Sequence, residues 1–369
     1  MSRRGLFYVD DASAALPEAL PALTEVRDRG HAHRYVRHVR SSQAFALNLF
    51  APLDDDGVRR VFVYLGHKVE KVEPPFFEYE DQQDRLQEAS ARSPHRTQVD
   101  VLLRGTTTEG RRIAALIEVK LSESNFGSCS AFDSAENTSP TICEQPGLFG
   151  GDAEHCFQIQ NHGYGHRRYA EFLTDVRVTP PAARSDGGGC YLRDGRSQPM
   201  RNLALAHLLV KEGDYDEVVF ALTAPRNYER IWRRFREFTS LFADTEKVTI
   251  RELPAEVVAR RQPDGGTAFA TRYGSVLNDH ALLHLDTDGS LLGAWVHRDG
   301  HATSHYPDDE AETNANRSYA ETVIDGEEWE ALVDRLSRTS PHVAWWEAVA
   351  CTPDESAEAV FRRVRTQGE

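Results

Sequence analysis

The stretch "TQVDVLLRGTTTEGRRIAALIEVKL", residues 97–121, decides how the rest of the chain is read. Two apolar runs flank "GTTTEG", whose glycines and short polar residues predict a hairpin turn. Side chains alternate along a strand, so Ala114, Leu116, Glu118 and Lys120 share one face of the second run. Ile113, Ala115, Ile117, Val119 and Leu121 share the other. One face therefore changes from apolar to Glu and Lys at the end of the strand, and a hairpin partner would bring Asp100 near Glu118. Two carboxylates with open coordination positions suit Mg²⁺ or Mn²⁺. A lysine beside them can orient or help deprotonate a water and offset developing negative charge. Phosphodiester hydrolysis is the chemistry such a group fits. The competing reading is a surface ion pair or a charged guard on an edge strand. A chain with five lysines against 38 arginines would more readily supply arginine for that purpose, which favours a chemical role for Lys120.

Upstream, "SSQAFALNLFAPL" (41–53) predicts a helix capped by serine and stopped at Pro52, with Phe45 and Leu49 at i, i+4 spacing. Next, "VRRVFVYLG" (58–66) reads as a short strand or helix. "PPFFEYE" (74–80) reads as a strand with Phe76, Glu78 and Glu80 on one side and Phe77 and Tyr79 on the other. Residues 122–196 are irregular and hold four of the five cysteines, with one helix expected around "HRRYAEFL" (166–173). Beyond them "SQPMRNLALAHLLV" (197–210) predicts a buried helix with Ser197 as N-cap, and "DEVVFALTAP" (216–225) a strand covered on both faces. A helix at "YERIWRRFREFTSLF" (228–242), a strand near "KVTI" (247–250) and a short helix at "PAEVVARR" (254–261) continue the unit. "QPDGG" (262–266) reads as its boundary. Past it, "AFATRYGSVL" (268–277) and "ALLHLDTDGSLLGAWVH" (281–297) read as strands, followed by helices at "GEEWEALVDRLSR" (326–338) and the C-terminus. The expected class is α/β, a mixed sheet flanked by helices, with a cysteine-bearing insertion at about 122–196. A first domain over 1–261 is followed by an acidic α+β domain over 262–369.

With 40% hydrophobic and 27% charged residues the composition is that of a globular protein. No run approaches the ~18 apolar residues of a membrane span. The N-terminus reaches Asp10 and Asp11 before a signal-peptide segment could form, so a cytoplasmic location is expected. The net charge of −15 argues against a nucleic-acid binder only until its distribution is examined, since residues 301–369 carry nine of those negative charges. Basic clusters remain at 27–40, 166–168 and 226–236, where Arg233 and Arg234 are candidates for phosphate contacts.

Asp100 with "EVK" (118–120) on consecutive strands, inside a helix-strand-strand-strand-helix-strand order, resembles the PD-(D/E)XK nuclease superfamily. More specifically, "SSQAFALNLFAPL", "FFEYE", "TQVDVLL", "IEVKLSESNFGSC" and "QPMRNLALAHLL", in this order over about 41–261, are similar to an uncharacterised bacterial family of restriction-endonuclease-like proteins. The resemblance implies a Mg²⁺-dependent endonuclease acting on DNA in restriction, phage defence or repair. Asp100, Glu118 and the Val119 carbonyl would bind the metal, with Lys120 at the attacking water. The proline of the motif is replaced by Val99. A third acid is expected from Glu78, with Glu80 in reserve. Gln198 and Arg201, one turn apart on the buried helix, are candidates for the water network or a phosphate. Asn48 reads as a satisfied core amide. A nucleic-acid-binding or assembly protein that has lost turnover is the alternative. A homodimer, and a protein partner for the acidic domain, are further expectations.

Cys129, Cys143, Cys156 and Cys190 lack the Cys-x-x-Cys spacing of a zinc knuckle, but an insertion without its own core gains most from a structural metal. A four-cysteine zinc site, favoured over an iron–sulfur cluster, stands beside buried free thiols. His155, His162 or His166 are possible further ligands.

Overall fold

The computed structural model describes residues 15–273 except 35, 38–40, 90–95, 122, 124, 128, 130, 133, 138, 145–155, 161–166, 175–188, 191–194 and 227. It also describes four strands between 281 and 346. His155, His162, His166 and the two helices expected after residue 325 lie outside the described residues. Among the described residues no helix is long and apolar enough to cross a membrane.

The quoted stretch forms a hairpin of β3 (Gln98–Thr107) and β4 (Arg112–Val119), preceded by β1 (Val69–Val72) and β2 (Phe76–Glu80). β1 and β2 pair antiparallel with successive parts of β3, and β4 pairs antiparallel with β3 on the other side. β5 (Glu217–Thr223) and β6 (Val248–Glu252) then add in parallel, giving an open mixed sheet with β4 and β5 inside it. Every residue of β5, and all of β4 after Arg112, is buried, as continuous apolar runs between two helical layers require.

One layer holds α1 (Leu20–Asp28), α2 (Ser42–Phe50), α3 (Asp55–Tyr64) and α6 (Ala255–Ala259), packing Phe45, Phe50, Phe62 and Val258 on Val101, Ile113, Ile117 and Val119. The other holds α4 (Ser197–Lys211) and α5 (Glu229–Thr239), packing Leu205, Trp232 and Phe235 on Ala114, Leu116 and Phe220. The two faces of β4 are the two that alternation assigns to it. Asn48 is the satisfied core amide expected, accepting from Leu16 N at 2.6 Å and donating to the Tyr273 hydroxyl at 3.0 Å.

Of the two readings left open for "VRRVFVYLG", strand or helix, the structure has the helix, started by the Asp54 carboxylate accepting from Gly57 N at 2.7 Å. Two other local readings are corrected. Ser197 is the first helical residue and not a side-chain cap. The backbone of the strap after Lys120 serves the end of α4 instead, Ser197 N donating to Gly127 O and Gln198 N to Phe126 O, each at 3.3 Å. "AFATRYGSVL" begins not as a strand but inside α7 (Thr267–Arg272), because the Asp264 carboxylate accepts from the Gly266 and Ala268 N–H groups, each at 2.8 Å. Through α7 the chain past "QPDGG" still packs on the first core, with Phe269 and Tyr273 buried against Phe45. Strands β7 (Ala281–Thr287), β8 (Ser290–Val296), β9 (Ala302–His305) and β10 (Val343–Trp346) form a second, antiparallel sheet in the order β10-β7-β8-β9.

Candidate active site

Glu118 ends the apolar part of the β4 face covered by α4 and is fully buried. Asn202 of α4, also fully buried, donates to Glu118 Oε2 at 2.8 Å. Glu118 Oε1 lies 2.8 Å from Lys120 Nζ as an ion pair but receives no hydrogen bond of good geometry. Lys120 Nζ also donates to Gln198 Oε1 at 3.1 Å and stands 4.0 Å from Glu123 Oε1. Gln198 and Asn202 are four residues apart and both face this end of β4. Asn202 carries the same i, i+4 signal that a polar residue in an apolar helix offers, and sequence reasoning missed it.

Asp100 is tied to the same strand end, its Oδ2 accepting from Val119 N at 2.6 Å. The pairs Phe77↔Val101 and Tyr79↔Val99 set Glu78 across from Asp100. Glu78 does not follow the expected alternation with Phe76 and Glu80. Its φ of 50° is in the left-handed region, where a non-glycine residue is strained by about 1–3 kcal/mol. The kink divides its neighbours, Phe77 entering one core and Phe76 and Tyr79 the other. Gln43 Nε2, from the first turn of α2, holds the kinked side chain by donating to Glu78 Oε1 at 2.7 Å. This buried amide is a second residue the sequence reading missed. Glu80 is engaged elsewhere, accepting from Arg96 Nη1 at 2.8 Å.

The electrostatics follow from this crowding. Burial pushes the Asp100 carboxyl well above its ordinary value, and the facing carboxylates of Glu118 and Glu78 push it further, against the partial relief of Lys120 and the Val119 N–H. Glu78 rises from 4.5 to about 7, mainly through burial and then the Glu118 charge, although the Gln43 hydrogen bond opposes this. Burial works against the Lys120 ammonium, but Glu118, Glu123 and Asp100 outweigh it and hold the amine above the usual lysine value. In this arrangement Lys120 is a fixed cation, suited to donating hydrogen bonds and not to taking up a proton from water.

A pH dependence follows. A carboxyl whose folded-state pKa exceeds its unfolded value binds protons more tightly when folded, so stability falls as pH rises from about 4.5 through about 7. In EDTA, Glu78→Gln is therefore expected to melt higher than the native chain at pH 8 and level with it at pH 4. The ceiling is about 3 kcal/mol. Thermal melts at the two pH values check this, and equal shifts at both would remove the buried charge as the cause.

The remaining candidates are placed as follows. Arg201 Nη1 lies 3.7 Å from Glu88 Oε1, in a cluster with Tyr169, whose hydroxyl donates to the same oxygen. Arg233 is exposed on α5, while Arg234 is partly buried, its cationic form disfavoured by burial and by Arg230, Arg196 and Arg233. In the earlier basic clusters, Arg29 donates to Phe77 O at 2.6 Å, and Arg168 is bonded to Glu171 and Glu212. None of the four cysteines of the insertion is in a disulfide.

Hard oxygen donors at Asp100, Glu118 and Glu78, and a buried Glu118 oxygen without a hydrogen-bond donor, fit a divalent cation chemically. Among the described residues, however, no three His, Cys, Asp or Glu side chains are drawn closely enough together to hold one as they stand. A family model described as "Restriction Endonuclease associating with ARP" matches residues 11–274. Neither a curated protein nor a solved structure matches the chain.

Proposed function

The chain belongs to the REase-ARP family of restriction-endonuclease-related proteins, and from that premise we propose that it is a divalent-metal-dependent nuclease cutting DNA phosphodiester bonds. The observation that carries the reading is the mutual crowding of Asp100, Glu118 and Glu78 around one lysine at the carboxyl end of an inner strand. Asp100, Glu118, Glu78 and the Val119 carbonyl would hold Mg²⁺ or Mn²⁺. When bound, the ion would supply Lewis acidity at the scissile phosphate and a more acidic water.

The protein's own groups do the rest. Lys120, kept cationic, donates hydrogen bonds to the attacking water or a phosphate oxygen and balances charge gained in the transition state. Gln198 orients that ammonium, and Asn202 fixes the rotamer of Glu118. Gln43 holds Glu78 opposite Asp100. The test is plasmid and single-strand cleavage in Mg²⁺ or Mn²⁺, with and without EDTA, by the native chain and Asp100→Ala. Cleavage that needs the metal and disappears in the variant is expected, and equal cutting by both would overturn the assignment.

DNA approaches, in this reading, along α5. Gly195, which accepts from Phe126 N at 3.0 Å, is so close to Arg234 that a Cβ there would lie 3.1 Å from its guanidinium. The arginine cluster thus adjoins the strap leading from Lys120. Arg233→Ala with Arg234→Ala is expected to weaken DNA binding about tenfold, lower the salt slope by about one per lost phosphate contact, and leave kcat nearly unchanged. Fluorescence anisotropy across a salt series reads this. A change confined to kcat would point to a role inside the site.

The division from the acidic unit is drawn after Tyr273, in keeping with the packing of α7 and the family match. The acidic unit is assigned to a protein partner, and the chain to the cytoplasm as a homodimer when it cuts both strands. One observation favours the second reading, a nucleic-acid-binding or assembly protein without turnover: the carboxylates do not converge on one point as they stand. DNA binding with no cleavage in either metal would select it.

A further inference from the structure

The cysteine insertion has a chemistry that the nuclease reading does not use. Among its described residues the regular elements are two short 3-10 turns, Pro140–Glu144 and Arg168–Thr174, so little backbone pairing holds it. Cys129 and Cys190 are nonetheless buried.

Cys129 and Cys156 sit in matching turns. The Cys129 carbonyl accepts from Phe132 N at 3.1 Å and the Cys156 carbonyl from Ile159 N at 2.9 Å. In both turns the sulfur also receives backbone N–H groups from the second and third residues onward, Ala131 and Phe132 in one, Gln158 and Ile159 in the other. Such donors are wasted on a neutral thiol filling an apolar gap and favour a thiolate. Cys143 is close enough to both thiols to push them up, together with burial, which is the larger cause. Cys190 joins them through its backbone, its N–H donating to Cys143 O at 2.8 Å. Asn137 ties the group together, donating to Ala131 O at 3.0 Å with Cys143 Sγ at 3.9 Å. Burial by itself keeps these neighbouring thiols protonated, and the backbone N–H groups aimed at two of the sulfurs suit the thiolates that a bound cation would create.

We propose that Cys129, Cys143, Cys156 and Cys190 bind one structural zinc ion, which fastens the insertion to the nuclease-like core. The sulfurs of Cys129, Cys143 and Cys156 are neighbours and Cys190 adjoins them through its backbone, without a common ligating point among the described residues, and zinc would draw the four onto one centre at about 2.3 Å. Each thiol gives its proton to solvent on binding, so uptake releases protons and strengthens with pH. The site is independent of the carboxylate site, since thiolates select zinc where carboxylates select magnesium.

The test is metal analysis of the purified full chain. One zinc per chain is expected in the native protein and in Asp100→Asn with Glu118→Gln, and none in Cys129→Ser with Cys156→Ser. A native chain without zinc, iron with acid-labile sulfide in its place, zinc kept by the serine variant, or zinc lost from the carboxylate variant would each overturn the proposal. Should the serine variant fail to fold, cobalt(II) exchanged into the native chain decides instead. The intense visible bands of tetrahedral thiolate coordination support the site, and the weak bands of an oxygen-ligated ion refute it.

Discussion

Lys120→Ala is expected to abolish cleavage and to destabilise the metal-free chain by about 3–5 kcal/mol, the range seen when one partner of a buried ion pair is removed. Lys120 is only 7% exposed and faces Glu118, which has no exposure at all, with Asp100 beside it. Without the ammonium, the buried carboxylates keep their mutual repulsion and lose their main relief. Mg²⁺ would then recover more stability in the variant than in the native chain, because it supplies the missing positive charge. Thermal melts in EDTA and in Mg²⁺ test this. A variant that melts like the native chain in both would mean that Lys120 is not the counter-charge. Lys120→Arg separates charge from shape: it preserves the cation, but the planar guanidinium cannot occupy the compact position between Glu118 Oε1 and Gln198 Oε1. Stability is expected to be largely kept and cleavage lost.

The second large effect has opposite signs on activity and stability. Glu118→Gln is expected to lower kcat by about 10²–10³-fold, on the scale of losing electrostatic stabilisation of a transition state. At pH 8 in EDTA it is also expected to stabilise the fold, because it removes the charge that raises both Asp100 and Glu78. The side-chain oxygen facing Asn202 remains as an acceptor. The gain should shrink as pH falls through the range where Glu78 takes up its proton. A variant that loses both cleavage and stability would show that Glu118 is chiefly a structural partner of Lys120 and Asn202. Such a trade of stability for function is common where a site must keep like charges together.

Part of the site was legible in the sequence because it follows a period. Ala114, Leu116, Glu118 and Lys120 lie on one face of β4 and its end, and Ile113, Ala115, Ile117, Val119 and Leu121 on the other, as strand alternation dictates. The hairpin register also brings Asp100 to the end of that face. Gln198 was legible as a polar residue at the start of an apolar helix. Asn202 obeys the same spacing and was overlooked, while Arg201, named as the partner of Gln198, turns to Glu88. The position of Glu78 opposite Asp100 was within reach. Its left-handed backbone was not, because no glycine or asparagine marks it, and tertiary contacts, Gln43 among them, hold it there. The helix at 267–272 was missed because the carboxylate that starts it, Asp264, lies within the stretch read as a boundary, whereas the helix at 55–64, capped by Asp54, was one of two readings left open.

The kink at Glu78 has a consequence for the outer rim of the sheet. β1 and β2 share the border beside β3, and an unbroken border strand offers its free backbone groups to any passing chain. Interrupted between β1 and β2, and turned aside at Glu78, this border gives an incoming strand no long ladder to extend. The distortion that sets Glu78 opposite Asp100 therefore also works against edge-to-edge pairing of sheets, and substituting Glu78 is expected to bear on solubility.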